Sequence, residues 1–245
     1  MRRARFAADG RVRTGRIKDG RIVTGKKAFD ADEVTLLPPC EPSKIIAVGK
    51  NYPDHIEEMA EKGFGDNEVP EFPFLFFKPP SSMIGHGADI SYPNGAETVH
   101  YEGEVAVIVG ERCHSVDPAN ALNKLEGYTA LNDVSFRDWS PREDQWVRHK
   151  GLDTFCPIGP CVQTDIAPNV SLETRLNGET RQQGNTGDMA FSIADLVAEV
   201  SQYMTLEPGD VIATGTPSGV GAITPGDTVE VEVEGVGTLQ NGVSE

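Results

Sequence analysis

Glycine and proline recur so often in this chain that long helices have little room to form. The 245 residues include 26 Gly and 17 Pro, and short apolar runs lie between these turn signals. Strands need only about four to eight residues, whereas helices usually need about ten or more. The runs show neither a regular strand–helix alternation nor a repeat period, which argues against a doubly wound sheet or a solenoid. The predicted fold class is therefore α+β, mostly β.

The chain is predicted to have two parts. Residues 1–37 contain short strands around the turns Asp9-Gly10 and Asp19-Gly20, which indicate a small N-terminal β appendage. The main domain is expected to occupy residues 38–245. The strands predicted in it are 44–49, 74–78, 99–109, 127–131, 210–213 and 228–233. The predicted helices are 54–63, with Asp54 as N-cap and Gly63 as C-cap, 117–125 and 192–203.

The net charge argues against one class of partner. Lys and Arg number 22 against 38 Asp and Glu, which gives a formal charge of −16. Such a surface repels phosphate, so no nucleic-acid binding is expected. The apolar stretches are far shorter than the roughly 18 residues that span a bilayer, so no membrane association is expected. The basic start has no apolar segment behind it, which argues against a signal peptide and favours a cytoplasmic protein.

The acidity also suggests an environment. Acids are spread along the chain, and the basic residues are 9 Lys and 13 Arg. A uniformly acidic, Lys-poor surface is typical of a halophile, because salt screens the self-repulsion of the carboxylates. An ordinary acidic enzyme is the alternative. The four cysteines form no C-x-x-C pair, so we expect buried free thiols.

Acidic residues at two strand ends point to a metal site. Glu102 and Glu104 flank Gly103 where an apolar run, 105–109, begins. On an extended chain both side chains leave the same face and repel each other unless a proton or a cation intervenes. Asp133 follows the strand 127–131 and is a candidate third oxygen ligand for Mg²⁺, Mn²⁺ or Ca²⁺. The alternatives are solvated acids and, for Asp133, a turn former.

Other residues could complete a reaction site. His55 and Glu58 share one face of the predicted helix, so Glu58 can orient the imidazole as a general base. Arg137 and Lys150 could bind an anionic substrate, with Lys150 also a proton donor. A surface His–Glu pair and simple pairing with nearby acids are the alternatives. The glycine-rich loop in 209–221 matches no nucleotide motif, but its amides and Thr hydroxyls could bind a carboxylate.

Taken in order, these segments resemble the fumarylacetoacetate hydrolase family from about residue 43 to residue 242. The resemblance is carried by ordered motifs: Gly49-Lys50-Asn51-Tyr52 with His55 and Glu58, Phe77-Lys78-Pro79, His100-Tyr101-Glu102-Gly103-Glu104, Asn132-Asp133 with Arg137-Asp138, Lys150-Gly151 with Asp153-Thr154, and Thr214-Gly215-Thr216-Pro217. One departure stands out. Many members have Gln three residues after the Arg, whereas here Ser140 follows Trp139.

The resemblance implies a fold and a set of roles. The fold would be a mixed β-sandwich roll, usually a homodimer, with Mg²⁺ or Mn²⁺ (Ca²⁺ as a substitute) at the active site. The implied roles are as follows: Glu102, Glu104 and Asp133 hold the metal; His55 and Glu58 activate water; and Arg137, Lys150, Thr216 and Tyr52 contact the substrate. A mobile lid is expected in 62–71.

These residues favour hydrolysis of a carbon–carbon bond in a small 2-oxo or 2,4-dioxo acid. An acylpyruvate or fumarylpyruvate would release pyruvate in a Mg²⁺-dependent or Mn²⁺-dependent reaction. The same site could instead decarboxylate a 2-oxo acid such as oxaloacetate, isomerise a 2-hydroxy-dienoic diacid, or dehydrate a sugar acid. A more distant alternative is a non-catalytic calcium-binding module, which would not need His55, Arg137 or Lys150 near the ion.

Overall fold

The structure is a computed structural model that describes residues 1–63, 67–167 and 169–245. Short strands dominate these ranges, as the frequent turn residues predict. The strands are β1 Arg2–Ala8, β2 Arg11–Lys18, β3 Arg21–Thr24, β4 Lys27–Asp30, β5 Thr35–Leu37, β6 Ile45–Gly49, β7 Phe74–Lys78, β8 Met83–Ile84, β9 Ile90–Ser91, β10 Val99–Tyr101, β11 Gly103–Val109, β12 Leu125–Asn132, β13 Ser135–Phe136, β14 Cys156–Gln163, β15 Ser171–Leu176, β16 Glu179–Asn185, β17 Val211–Ala213, β18 Gly221–Ile223, β19 Thr228–Val233 and β20 Gly237–Ser244.

Helices are few and short. They are α1 Pro53–Glu61, α2 Pro118–Ala121, α3 Val147–Lys150 and α4 Ile193–Tyr203. The predicted N-cap of the first helix is wrong: Tyr52 is the N-cap, because Pro53 occupies the first helical position. Gly63 follows the C-cap Lys62 with φ +82°, a conformation that glycine adopts without strain. Helix α4 begins at a capping box formed by Ser192 and Asp195.

Strand pairing organises the described residues into three sheets. The large sheet has twelve strands in the order β4-β3-β2-β1-β14-β12-β11-β17-β6-β7, with β5 paired to β1 and β8 to β14. A three-stranded sheet has the order β13-β10-β18, and a five-stranded sheet the order β16-β15-β19-β20-β9. The mostly β, α+β roll is therefore confirmed. The predicted strand 99–109 is interrupted at Glu102, because β10 and β11 belong to different sheets.

Four neighbouring strands of the large sheet bring their ends to one edge. Strand β11 runs antiparallel to β12, with Gly103 opposite Asn132, so the start of one lies beside the end of the other. Strand β17 is antiparallel to β11 and parallel to β6. The residues that follow β6, β12 and β17 and those that begin β11 consequently lie together. This edge contains most of the motifs identified in the sequence.

Strand β11 is buried on both of its faces, as its unbroken apolar run predicts. Val105, Val107 and Val109 pack into the larger hydrophobic cluster, whereas Ala106 and Ile108 pack into a second cluster. The alternation follows from the two-residue period of a strand. The four cysteines are also buried and free, as expected. Packing on both faces holds the start of β11 rigidly in place.

The first strands continue the large sheet across the predicted boundary at residue 37. Arg2 and Arg3 of β1 pair with Gln163 and Val162 of β14, and the Arg3 guanidinium donates to Glu126 at 2.8 Å. The division into two domains stays a prediction.

The predicted lid, 62–71, lies partly outside the described residues. Within the ranges that the structure describes, no helix combines the length and apolarity needed to cross a bilayer.

Candidate active site

Three carboxylates form a buried cluster at the edge of the large sheet where β6, β12 and β17 end and β11 begins. Glu102 lies between β10 and β11, Glu104 lies within β11, and Asp133 directly follows β12. They are 5%, 2% and 1% exposed, and one oxygen of each lies within 4.8 Å of the others. The backbone ties the two strand ends together, since the Asp133 N–H donates to the Glu102 carbonyl at 2.8 Å. The structure thus brings together the three residues predicted to be ligands.

The donor set of this cluster fits a hard divalent cation. Glu104 accepts the Gly215 N–H at 2.9 Å and forms no ion pair with any residue in the described ranges. Burial, with the charges of Asp133 and Glu102, raises the pKa of Glu104 well above its usual value. Such a carboxylate is stabilised either by a proton or by a cation between the acids. All three residues offer oxygen, the ligand that Mg²⁺, Mn²⁺ and Ca²⁺ prefer.

Two basic side chains contact Glu102 of the cluster. The Lys150 ammonium lies 2.7 Å from Glu102 Oε2 and 2.5 Å from Asp133 Oδ2, and the Arg137 guanidinium donates to Glu102 Oε1. Burial alone would raise the pKa of Glu102, but Lys150 and Arg137 hold it well below its usual value. The pKa values of the two glutamates are thus shifted in opposite directions. Guanidinium and ammonium groups bind anions through charge-assisted hydrogen bonds.

A neighbouring loop is fastened to the acidic strand by threonine and glutamine side chains. The Thr216 hydroxyl donates to the Gly103 carbonyl and accepts from the Gln182 amide, both at 2.8 Å. The Gln182 oxygen accepts the Gly103 N–H at 3.0 Å. A Cβ at Gly103 would lie 1.9 Å from Thr174 Oγ1, so only glycine fits between the two glutamates. The loop after β17 is thereby held against the carboxylates.

Helix α1 contributes a histidine–glutamate pair. His55 Nδ1 lies 3.2 Å from Glu58 Oε2, as their spacing predicts. Glu58 also accepts the Gly219 N–H at 3.1 Å and the Lys62 ammonium at 2.8 Å. Burial would raise the pKa of Glu58, but the hydrogen bonds from His55, Lys62 and Gly219 lower it to about 2. The ionised Glu58 keeps the hydrogen of the imidazole on Nδ1, which leaves Nε2 as an acceptor.

These groups surround one cavity of about 360 Å³. Its lining contains both charged and apolar residues. The charged and polar residues in its lining include Glu102, Glu104, Asp133, Arg137, Lys150, His55, Lys50 and Ser140, and the apolar ones include Ile56, Met59, Phe76 and Trp146. The Phe76 and Trp146 rings contact each other, with centroids 5.1 Å apart. A small organic acid would fit this volume.

Residues 44–244 match the family model described as fumarylacetoacetate (FAA) hydrolase C-terminal. That segment includes most of the chain and every residue of the site described above. The chain belongs to the fumarylacetoacetate hydrolase family. The resemblance seen in the ordered motifs is therefore confirmed.

Three relatives of this fumarylacetoacetate hydrolase family member have informative names. The oxaloacetate tautomerase of Bacillus subtilis (strain 168) is 40% identical over 233 residues, which cover 89% of this chain and 76% of the relative. The structure of 5-carboxymethyl-2-hydroxymuconate delta-isomerase from Mycobacterium smegmatis is 45% identical with a TM-score of 0.90, over 100% of this chain and 98% of that one. The fumarylacetoacetate hydrolase of Exiguobacterium antarcticum is 38% identical with a TM-score of 0.86, over 100% and 99%.

Of the four residues that the family resemblance implies as substrate contacts, three line the cavity and one does not. Arg137 and Lys150 line the cavity, and Thr216 does too, although its hydroxyl hydrogen already has a partner in Gly103. Tyr52 is buried and is not among the lining residues, and a Cβ at Gly215 would lie 3.8 Å from its ring. Ser140 lines the cavity. These residues' contacts with substrate stay predictions.

Two residues of this family member were given no role by the sequence. The buried Lys78 ammonium lies 2.6 Å from Asp133 Oδ1 and 2.5 Å from the Lys150 carbonyl. In the sequence, the sign of this role was a lysine at the end of the otherwise apolar strand 74–78. His149 lines the cavity beside Lys150, but the run Arg148-His149-Lys150 has no periodicity that would predict its burial.

Proposed function

We propose that the protein is a metal-dependent isomerase that interconverts the keto and enol forms of a small 2-oxo acid. One observation carries the proposal: the buried carboxylate cluster, two cations and an oriented histidine border the same cavity. The names of the Bacillus and Mycobacterium relatives also support it, because both describe proton shifts rather than hydrolysis. A non-catalytic calcium module would need neither His55 nor the two cations at this place.

The metal would be held by Glu102, Glu104 and Asp133, with Mg²⁺ or Mn²⁺ as the working ion and Ca²⁺ as a substitute. When bound, it would supply Lewis-acid stabilisation of negative charge on the 2-oxo group. Three protein carboxylates leave coordination positions for a chelating acid. The buried, poorly paired Glu104 supports this role, because a dication offsets the repulsion among the three acids.

The remaining residues would bind the acid and move its proton. Arg137 and Lys150 would hold the substrate carboxylate through charge-assisted hydrogen bonds. His55 Nε2 would take the proton from the carbon next to the oxo group and return it to the oxygen, which converts keto to enol without net change in atoms. Glu58 would keep the His55 ring in the orientation and tautomer that this transfer needs. Thr216 would hold its loop against the strand.

Hydrolysis of a carbon–carbon bond, the reaction favoured by the sequence alone, is the second candidate. His55 and Glu58 favour it, because a base that removes a carbon-bound proton can also deprotonate water. The name of the Exiguobacterium relative supports it as well. Decarboxylation and sugar-acid dehydration would use the same carboxylate cluster and are alternatives to be tested with the same protein.

A turnover panel in high KCl with Mg²⁺ or Mn²⁺ tests these candidates. Oxaloacetate, acetylpyruvate, fumarylpyruvate and a 2-hydroxy-dienoate are offered, and enol absorbance, pyruvate and CO₂ are followed separately. We expect enol absorbance to change without release of pyruvate or CO₂. Reactions with metal alone and with His55→Ala protein correct for spontaneous tautomerisation. Pyruvate from an acylpyruvate without CO₂ would instead establish the hydrolase.

We also propose that the protein is a homodimer. Strand β7 lies at one end of the large sheet, and Phe74 and Phe77 on it are 40% and 55% exposed. Apolar side chains of this size beside an open strand edge favour association. Light scattering is expected to give twice the chain mass of 26.5 kDa, and Phe77→Asp is expected to weaken the dimer. A monomer at micromolar concentration would refute the proposal.

A further inference from the structure

His149 lines the cavity, and one of its ring nitrogens has no hydrogen-bond partner among the described residues. The residue lies in α3, is 1% exposed and lines the cavity. Its Nδ1 is 2.9 Å from the Phe136 carbonyl oxygen. Because a carbonyl only accepts hydrogen bonds, Nδ1 carries the hydrogen and Nε2 keeps a lone pair. Nε2 is buried and has no hydrogen-bond partner among the described residues.

The position of this nitrogen is fixed by its neighbours. The hydrogen bond to Phe136 holds one edge of the ring, and the Trp146 ring packs edge-on against it with centroids 5.3 Å apart. Trp146 has φ +57°, in the left-handed region that non-glycine residues rarely adopt. Strain of this kind persists where the surroundings enforce it, often at binding sites. A buried acceptor that is held rigid and unsatisfied is suited to a ligand that supplies a donor.

The His149 ring is a very weak base and stays neutral. Burial and the neighbouring Lys150 charge lower the pKa of His149 to about 3. So weak a base accepts a hydrogen bond without keeping the proton, which separates its role from the proton transfer proposed for His55. Lys150, Arg137 and Glu102 all influence the pKa of His149, so His149 lies near these charged groups. In the proposed function the substrate carboxylate and its 2-oxo group lie near Lys150 and Arg137, so this is the end of the substrate that His149 would meet.

We propose that His149 Nε2 accepts a hydrogen bond from a hydroxyl at carbon 2 of the bound acid, so that the site favours the enol over the keto form. A keto oxygen offers only lone pairs and is repelled by the Nε2 lone pair, whereas an enol or a 2-hydroxy acid offers a hydrogen. The inference rests on the proposed function and deepens it. It makes His149 a binding residue that distinguishes the two tautomers.

A matched pair of unreactive acids tests the inference. The keto probe, 3,3-dimethyl-2-oxobutanoate, has no hydrogen on carbon 3 and cannot enolise. The hydroxyl probe, 2-hydroxy-3,3-dimethylbutanoate, differs only by reduction of that carbonyl. Binding of both to Mg²⁺-loaded protein is measured by calorimetry. His149→Asn keeps an amide that can donate to Phe136 but lacks Nε2, and His114→Asn, at an exposed site, is the control for the substitution.

We expect the preference for the hydroxyl probe to fall about three- to tenfold in His149→Asn, the range for one hydrogen bond, and to stay unchanged in His114→Asn. An unchanged preference in both variants overturns the inference and leaves the proposed function standing. If neither acid binds the wild-type protein, the proposed function fails and the inference fails with it.

A second measurement does not depend on a variant that folds. In ¹⁵N-histidine spectra of the wild-type protein we expect His149 to be the Nδ1–H tautomer at pH 7. Its Nε2 resonance is expected to move when the hydroxyl probe binds and to move little with the keto probe. Equal movement with both probes, or an Nε2–H tautomer in the free protein, overturns the inference.

Discussion

Two buried carboxylates of this protein have opposite surroundings. Asp210 is completely buried, and its oxygens accept hydrogen bonds from the Ser43 hydroxyl at 2.7 Å, the Ser43 N–H at 2.9 Å and the Glu207 N–H at 2.8 Å. The Lys44 ammonium completes the set. Glu104 is almost as deeply buried, yet it lies among other acids. Buried charge needs partners. Asp210 has a lysine and several hydrogen-bond donors, whereas Glu104 has the Gly215 N–H and no ion pair among the described residues.

The two carboxylates have opposite pKa shifts, and their neighbours explain the difference. Burial would raise the pKa of Asp210, but the hydrogen bonds from Lys44, Glu207 and Ser43 lower it. Burial and neighbouring acids raise the pKa of Glu104 instead. A carboxylate supplied with donors ties two segments together, whereas the repulsion around Glu104 is what the proposed cation would offset. We therefore expect substitutions at the two positions to affect different properties.

The largest effect is expected at the metal cluster. In Glu104→Gln, one proposed oxygen ligand loses its charge, so affinity for Mg²⁺ should fall by about 100-fold or more, and activity with it. The unfolding free energy without metal should stay unchanged or rise, because the amide removes a carboxyl group that Asp133 and Glu102 repel. Calorimetry with Mg²⁺ and urea unfolding in chelator measure the two quantities. A metal-free protein that is clearly destabilised would mean that Glu104 is structural.

Asp210→Asn is expected to do the reverse. It leaves the Lys44 ammonium without its carboxylate and weakens the bonds to Ser43 and Glu207, so the unfolding free energy should fall by about 2–4 kcal/mol. Mg²⁺ affinity and turnover per folded molecule should not change, since Asp210 is not part of the described cavity lining. Urea unfolding and calorimetry are again the measurements. A loss of Mg²⁺ affinity in a folded variant would contradict the comparison.

The pH dependence of Asp210 gives a third, smaller effect. Its pKa in the folded protein is below the ordinary value of 3.8, so the folded state binds the proton less readily than the unfolded chain does. The stabilisation is therefore complete above about pH 4 and is lost as the pH falls through the folded-state pKa. The difference in unfolding free energy between the wild type and Asp210→Asn should be constant from pH 7 to 5 and shrink below pH 4. A difference that grows on acidification would refute this assignment.

The sequence predicts this site better than the packing around it. Glu102, Glu104 and Asp133 could be grouped because a strand's two-residue period and the ends of apolar runs are visible in one dimension. The break at Glu102 was missed, since the change of sheet there depends on the partners that β10 and β11 find. The same limit applies to Lys78 and His149, whose roles arise from contacts with Asp133 and Phe136 far along the chain. Turn-rich composition fixed the fold class, but not which strand lies beside which.

The smallest expected effect is the response of Tm to salt, which distinguishes exposed charges from buried ones. With a net charge of −16, exposed acids repel one another, and the screening length falls from about 10 Å at 0.1 M salt to about 3 Å at 1 M. We expect KCl to raise Tm by a few degrees up to 2 M, and by the same amount in Asp210→Asn, because buried pairs are screened much less. Sorbitol at equal osmolality is the control. A Tm that stays flat or falls with KCl would reject the prediction of a salt-rich cytoplasm. A steeper rise of Tm in the wild type than in Asp210→Asn would show that salt reaches the Lys44–Asp210 pair.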